Sequence, residues 1–417
     1  MDYYIVAKNY LISCGIKEIK QALSNQDNLY LIVEGVEQCV RKEDIAYFDK
    51  IYKVEGLEYR DIYNVIIKNS PNGRFFISTR QESCVEMVSQ IRDKFNIRGA
   101  KYHQAIRFLN KLEMKSIVND DKLFAKYINI NLLKYNKNEI VDRISNDLGF
   151  PIFVKPVDGT TSIDAKKLST KEELTGFIHL NKEKLDSYIF EEYLDSVSMF
   201  QCDTVVLNGE IKSVFVSEYL YPCTSFSHGF PAIVKTIPSS HEMFKKIAKF
   251  NANILNLYKN SIELPNGVTH MEVMLMPSGD LKFVEIAARP PGPVPFGTVE
   301  LYEHIYGVNL ERVHIFSELG ISQDVSHDES IKSGAFFYFP YPGGYMGDFE
   351  KPSIDNGVIC YEKVKITREK NYIKPKDLRQ IYHNSFYVLG VLSDTWKEIN
   401  KNINVVEQKV KSQFNYG

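Results

Sequence analysis

The stretch Thr269-His-Met-Glu272-Val-Met-Leu-Met-Pro-Ser-Gly-Asp-Leu-Lys-Phe-Val-Glu285-Ile-Ala-Ala-Arg289-Pro-Pro-Gly292 decides how this chain is read. Two apolar-rich runs, Val268–Met276 and Leu281–Ala287, flank the turn formers Pro-Ser-Gly-Asp, which predicts an antiparallel hairpin. With Ser278 and Gly279 at the tip, Met276 opposes Leu281, Met274 opposes Phe283, and Glu272 opposes Glu285. Alternation puts Arg289 on the face of Glu285 if the strand runs that far. Two carboxylates directly opposite each other repel, and burial raises that cost. A hard cation between them resolves the conflict. Magnesium takes oxygen ligands and is commonly held by one or two carboxylates together with substrate phosphates. A solvated face that carries two acids by chance is the competing reading. Apolar neighbours on both faces, Met274 with Phe283 and Val273 with Val284, weigh against it.

Upstream, Phe150-Pro-Ile-Phe-Val-Lys155-Pro reads as an apolar strand ended by proline. Its lysine leads into the small-residue loop Val157-Asp-Gly-Thr-Thr-Ser162, whose backbone N–H groups suit phosphate oxygens. An ordinary strand-end lysine fits the pattern as well. Tyr188-Ile-Phe-Glu191-Glu-Tyr-Leu194 ends a second strand with two acids. A carboxylate there can accept the amino group of adenine, or can simply be exposed. Lys115, on the amphipathic stretch 101–118, carries no signal alone.

Residues 1–100 alternate strands (Tyr4–Ala7, Leu29–Val33, Arg74–Ser78) with helices (Ile16–Leu23, Cys84–Phe95), the pattern of a small parallel α/β sheet. They contain neither the dinucleotide glycine fingerprint nor the Walker phosphate loop. Helices are expected at Asn138–Leu148, after the Thr170–Glu173 capping box, and at Ser240–Tyr258. Asn208-Gly209 marks a hairpin between Met199–Leu207 and Ile211–Tyr219. Leu220–Pro238 reads as a loop, and with Val157–Asp164 it is a candidate lid; His228 and Lys235 in it are candidate substrate contacts. Beyond residue 330 lie strand-like runs (Ala335–Phe339, Val358–Val364), a Gly343-Gly344 pair and a helical end.

With 417 residues, 44% of them hydrophobic and 12% aromatic, the chain supports two to four packed units. A formal charge of −2 excludes the basic field of a nucleic-acid binder. No apolar run reaches the length of a membrane span. The N-terminus has no leader pattern, and the six cysteines are scattered without metal or redox spacing. A cytoplasmic location is expected.

Taken in order, these segments resemble the ATP-grasp superfamily across roughly residues 100–310. The resemblance rests on Met114-Lys115, Val154–Ser162, Glu191–Leu194, Asp203 within Met199-Phe-Gln-Cys-Asp203, His270-x-Glu272 and Glu285-Ile-x-x-Arg289. It is nearest to the carboxylate–amine ligase branch, with its amino-acid ligases and D-alanine–D-alanine ligase. It implies an α/β chain with α+β elements: a small parallel α/β domain at 1–100, then an ATP-grasp core at 101–330. The core would divide into a small subdomain (101–190) and a large one (191–330), with a C-terminal α+β unit (331–417) packed on it.

By the resemblance, ATP and Mg2+ or Mn2+ are the cofactors. Lys115 and Lys155 contact the phosphates, and Lys155 also serves catalysis. Glu191, Glu192, Leu194 and Asp203 belong to the nucleotide site. Glu272 and Glu285 hold the metal, and Arg289 steadies the acyl phosphate or the tetrahedral intermediate. Substrates are a small carboxylate and an amine, with no nucleic acid and no membrane, in a chain that can form a homodimer. Ala287 departs from the pattern, since many members have asparagine there as a further metal ligand. Ser198 stands where a ribose-binding acid is often found, and Pro290–Pro293 is stiffer than the usual glycine-rich turn. Three functions compete: an amide-forming ligase, an ATP-grasp enzyme with another acceptor (a thiol, bicarbonate or a protein terminus), and a nucleotide-binding regulator without turnover. Intact lysines and paired glutamates argue against the last.

Overall fold

The computed structural model describes residues 1–8, 12–130, 137–159, 164–292, 296–323, 325–326, 332–341, 349–365 and 384–413. Thr160–Ser162, Pro293 and the Gly343-Gly344 pair, all noted in the sequence, lie outside the described residues.

The first strands, β1 (Asp2–Ala7), β2 (Asn28–Val33), β3 (Lys50–Lys53) and β4 (Phe75–Ser78), form a parallel sheet in the order β3-β2-β1-β4. Parallel strands need cover on both faces. Ile5, Leu29 and Leu31 pack on helix Ile16–Ala22 and on Ile315, Phe316 and Leu319 from helix Leu310–Leu319. Tyr4, Ile32 and Ile77 pack on helices Tyr59–Asn69 and Glu82–Lys94.

A small antiparallel sheet follows: β5 (Tyr127–Asn129), β6 (Ile152–Pro156), β7 (Lys166–Leu168) and β8 (Tyr188–Glu192), in the order β5-β8-β6-β7. Helices Lys137–Leu148 and Lys171–Leu180 cover it. The capping box is present in a shifted form. Thr170 accepts from the Glu173 N–H at 3.3 Å, but the Glu173 carboxylate reaches back to the Ser169 N–H at 2.6 Å. The amphipathic stretch 101–118 is not one helix. It breaks into Tyr102–Ala105, a 3-10 turn at Ile106–Phe108, and a helix Lys111–Val118 capped by the Asn110 side chain.

The remaining strands build one antiparallel sheet: β9 (Ser198–Leu207), β10 (Glu210–Tyr219), β11 (Ala232–Ile237), β12 (Gly267–Leu275), β13 (Leu281–Ala287), β14 (Ser333–Pro340), β15 (Val358–Val364) and β16 (Ser385–Ser393). Their order is β13-β12-β9-β10-β11-β14-β16-β15. Asn208 and Gly209 turn β9 into β10 with φ of 54° and 72°, the left-handed pair such a hairpin needs. Ala232–Ile237, expected within a loop, is an inner strand paired with β10 and β14. Helix Glu242–Ser261 covers one face of the sheet, and helices Thr298–Tyr306 and Leu310–Leu319 the other. No helix among the described residues is long and apolar enough to cross a membrane.

The β12–β13 hairpin pairs Glu272 with Glu285, Met271 with Ile286 and His270 with Ala287, as the alternation requires. Nearer the tip the expected register is wrong. Val273 pairs with Phe283, Met274 with Lys282 and Leu275 with Leu281, so Val284 is an unpaired bulge residue. The reason is burial. A regular strand would send Phe283 to the face of Glu285. The bulge instead turns its ring into the core beside Val273, Met271 and Ile286.

Candidate active site

Helix Lys111–Val118 sits where the small and large sheets meet, and its two lysines are one turn apart on one buried face. Lys111 Nζ lies 3.3 Å from Glu285 Oε2 on the large sheet and donates to the Gly159 carbonyl at 2.6 Å. Lys115 Nζ lies 3.0 Å from Glu191 Oε1 on the small sheet. Lys155 reaches the other oxygen of the same carboxylate, also at 3.0 Å. Lys155 and Glu191 are diagonal neighbours across β6 and β8, because Lys155 pairs with Ile189 and Phe153 with Glu191. The rings of Phe124 and Tyr127 lie 4.4 and 5.1 Å from the Lys115 ammonium.

Burial works against every charge here, and neighbours decide the outcome. Glu191 is desolvated, yet Lys155 and Lys115 hold its carboxyl below the ordinary range. Lys115 is lowered, by burial first and by the like charge of Lys155, against the pull of Glu191. Lys111 is raised despite burial, because Glu285, Glu82 and Glu191 outweigh it. Glu285 is lowered despite burial, through Lys111, Lys155 and Arg289.

On the large sheet, Glu272 and Glu285 are opposed and partly open, with side chains 16% and 23% exposed. Behind Glu272 runs a polar chain. His270 Nε2 is 3.8 Å from Glu272 Oε1, and His270 Nδ1 is 2.8 Å from Asp203 Oδ1. Gln201 and Tyr302 also donate to Asp203. Burial lowers the His270 pKa, but Asp203 and Glu272 carry it up to about 9. Asp203 is fully buried and stands behind His270. The Cys223 thiol stands 4.0 Å from Glu272, and burial beside Glu272 and Glu285 keeps it protonated.

The structure therefore brings together Lys115, Lys155 and Glu191 on one wall and Glu272 and Glu285 on the other. Glu192 points elsewhere, accepting from the Lys126 N–H at 2.9 Å. The Leu194 carbonyl accepts from the Ser196 N–H just past β8. Arg289 lies two residues beyond the end of β13, with Nε 2.7 Å from Glu82 Oε2. Lys235 turns away to Glu218, Asn400 and the Trp396 ring, and His228 contacts the Thr224 carbonyl. Sequence reading missed Lys111 and Glu82. The i,i+4 spacing of Lys111 and Lys115 was a usable signal; nothing local marks Glu82.

Among the described residues no cluster of three or more side chains is preassembled around a metal. Two carboxylates on facing strands nonetheless suit magnesium, whose remaining ligands are commonly phosphate oxygens and water.

A family model described as D-ala D-ala ligase C-terminus matches residues 123–290, the span from β5 to the end of the acidic hairpin. That span, under half of the chain, is similar to this ligase family. Among relatives, the chain is similar to the L-arginine-specific L-amino acid ligase of Bacillus subtilis. The two are 24% identical over 262 residues, covering 60% of this chain and 59% of the relative's length. An L-amino acid ligase from Bacillus licheniformis shares its fold, with a TM-score of 0.71 at 14% identity, over 98% of this chain and 97% of the other. So does a carboxyaminoimidazole ribonucleotide synthase from Aspergillus clavatus complexed with ATP, with a TM-score of 0.67 at 12% identity, over 99% and 98%.

Proposed function

We propose that this chain is an ATP-dependent carboxylate–amine ligase, forming an amide through an acyl phosphate with release of ADP and phosphate. One observation carries the reading. A single helix delivers Lys115 to a buried cationic pair on one sheet and Lys111 to a pair of opposed acids on the other. Cations on one wall and a metal-type acid pair on the other suit a triphosphate between them.

In this reading Lys115 and Lys155 bind phosphate oxygens, exchanging the Glu191 carboxylate for the ligand's charge. Glu191 and the Leu194 backbone form the adenine edge of the site, while the Glu192 side chain is held outside it by the Lys126 N–H. Glu272 and Glu285 hold Mg2+ or Mn2+, with Ala287 leaving the second acid unaided. The bound metal supplies charge neutralisation at the terminal phosphates. Arg289 steadies the substrate carboxylate and then its acyl phosphate. Asp203 fixes the His270 ring behind Glu272. Water exclusion falls to the segments over the cleft, since water would destroy the acyl phosphate. The named relatives suggest amino acids as both acid and amine.

The test is ADP release from MgATP over a panel of amino acids and small carboxylates, singly and in pairs. Release that depends on a carboxylate and rises with an amine is expected. ATP turnover indifferent to every acid and amine overturns the proposal.

A further inference from the structure

We infer that Arg80 is a positioning residue: it pins the backbone strap that leaves the acidic hairpin, and so keeps the activated acid from being lost to water. The inference rests on the ligase reading above, in which that strap carries Arg289. The strap, Arg289-Pro-Pro-Gly292, runs from the end of β13 towards helix Thr298–Tyr306. Pro290 and Pro291 are buried and have no N–H, so hydrogen bonds can fix their backbone only through the carbonyls. Each carbonyl is met from a different side. Arg289 Nη1 donates to the Pro290 carbonyl at 3.0 Å, Arg80 Nη2 to the Pro291 carbonyl at 3.0 Å, and Thr298 Oγ1 to the Gly292 carbonyl at 3.4 Å. The first of these bonds lies within the strap itself. The other two tie the strap to its surroundings, and Arg80 does so from the N-terminal sheet, two residues beyond the end of β4.

Arg80 is itself held in place. It is 3% exposed, and its Nε lies 3.4 Å from Glu311 Oε2. Glu311, fully buried on helix Leu310–Leu319, accepts from the Ser13 N–H at 3.0 Å and from the Ser13 hydroxyl at 2.7 Å. Burying a guanidinium is costly, and Glu311 offsets that cost. The ion pair does not itself require the contact with Pro291. An ammonium could face Glu311, but only a planar fork serves the carboxylate with one nitrogen and the Pro291 carbonyl with another. The strap is thereby fixed to the unit formed by Ser13, Arg80 and helix Leu310–Leu319. The charge of Arg289 acts on Glu285, so a shift of the strap moves positive charge relative to the acid pair. Small misplacements of this kind at a reacting centre are expensive in rate.

The experiment uses the full chain with MgATP, an acid that promotes ADP release, and hydroxylamine as acceptor. It measures ADP and hydroxamate together. Wild type should form them in equal amounts. Arg80→Lys keeps a cation beside Glu311 but cannot also span to Pro291. It should lower kcat for ADP release by about tenfold to a hundredfold, leave KM for ATP unchanged, and form less hydroxamate than ADP as the intermediate leaks to water. Thr298→Val frees the next carbonyl without touching an ion pair, and should leak in the same way. Melting temperatures close to wild type would show that both variants are folded. If the variants lose activity only in step with their melting temperatures, and hydroxamate still matches ADP, Arg80 is a brace and the inference is overturned. If wild type couples ADP to hydroxamate and both variants match it in rate and coupling, the inference fails while the ligase reading stands. If no acid promotes ADP release by wild type, the ligase reading itself fails, and this inference with it.

Discussion

Glu272 and Glu285 face each other across the last two strands of the large sheet, and the register slips by one residue immediately beyond them. The slip lets one strand serve two purposes. Glu285 faces the cleft, while Phe283, two residues away, is 1% exposed in the core. Without the Val284 bulge either the acid pair or the core packing would be lost.

The two walls of the cleft should therefore fail differently when altered. Glu272→Gln leaves Glu285 to hold a metal, so nucleotide binding should change little while turnover falls about a hundredfold or more. Lys155→Met removes a charge from a partly desolvated wall. It should abolish turnover and weaken ATP binding by about 2 kcal/mol, or roughly thirtyfold. Calorimetric titration with ATP and magnesium, beside an ADP-release assay, separates the two. Wild-type activity in either variant would remove that residue from the site.

How far the sequence could carry this is clear from particular residues. Asn208-Gly209 was a sufficient signal for its hairpin, because few turns tolerate two left-handed residues. The opposed glutamates were legible because alternation is strict and the turn is short. The bulge was not, since it depends on where Phe283 finds a core. The four-residue β3 carries lysines at both ends, so it lacked a strand's apolar signature. Lys111 looked like any solvated helical lysine until β13 was placed beside it. The Glu82–Arg289 contact joins residues 207 apart in the chain, which no local pattern encodes.

Glu191 neutralises two ammonium groups in a cleft where none of the three is well solvated. Removing one partner of such a cluster strands the others, at a cost of about 3 kcal/mol. Glu191→Gln should lower the melting temperature of the free protein. Saturating MgATP supplies phosphate charge to the same lysines, so the deficit should shrink with nucleotide bound. Differential scanning fluorimetry with and without MgATP measures this. An unchanged deficit would mean that phosphates do not replace Glu191.

Glu300 links pH to stability. Its Oε2 accepts from the Gly297 N–H at 2.9 Å, while its Oε1 is buried without a hydrogen-bond partner among the described residues. Burial pushes its pKa up to about 7 from 4.5, with Glu311 adding to the rise. Between those values the folded chain keeps a proton that the unfolded chain has lost, so stability falls as pH rises through this window. The full difference is at most about 3 kcal/mol. Glu300→Gln keeps an acceptor for the Gly297 N–H and removes the titration. It should melt higher than wild type at pH 8 and close to it at pH 5. Parallel melting curves at both values would show that Glu300 titrates normally.

The way ATP is split gives the most discriminating outcome. A ligase can activate a carboxylate as an acyl phosphate, releasing ADP, or as an acyl adenylate, releasing pyrophosphate. In the proposed site the adenine edge lies past β8, and the acid pair stands on the opposite wall with Arg289 beyond it. Any metal on the acid pair, with Lys111 and Arg289 beside it, would therefore stand at the terminal phosphates, and the acid held by Arg289 would approach the γ-phosphoryl group. Adenylation would instead require that acid to reach the α-phosphate, on the small-sheet side. The expected products are ADP and phosphate in equal amounts, formed only with the correct acid and fastest with its amine. Hydroxylamine in place of the amine should trap the acyl phosphate as a hydroxamate, with one hydroxamate per ADP. AMP and pyrophosphate as the main products would overturn the mechanism and leave the fold untouched.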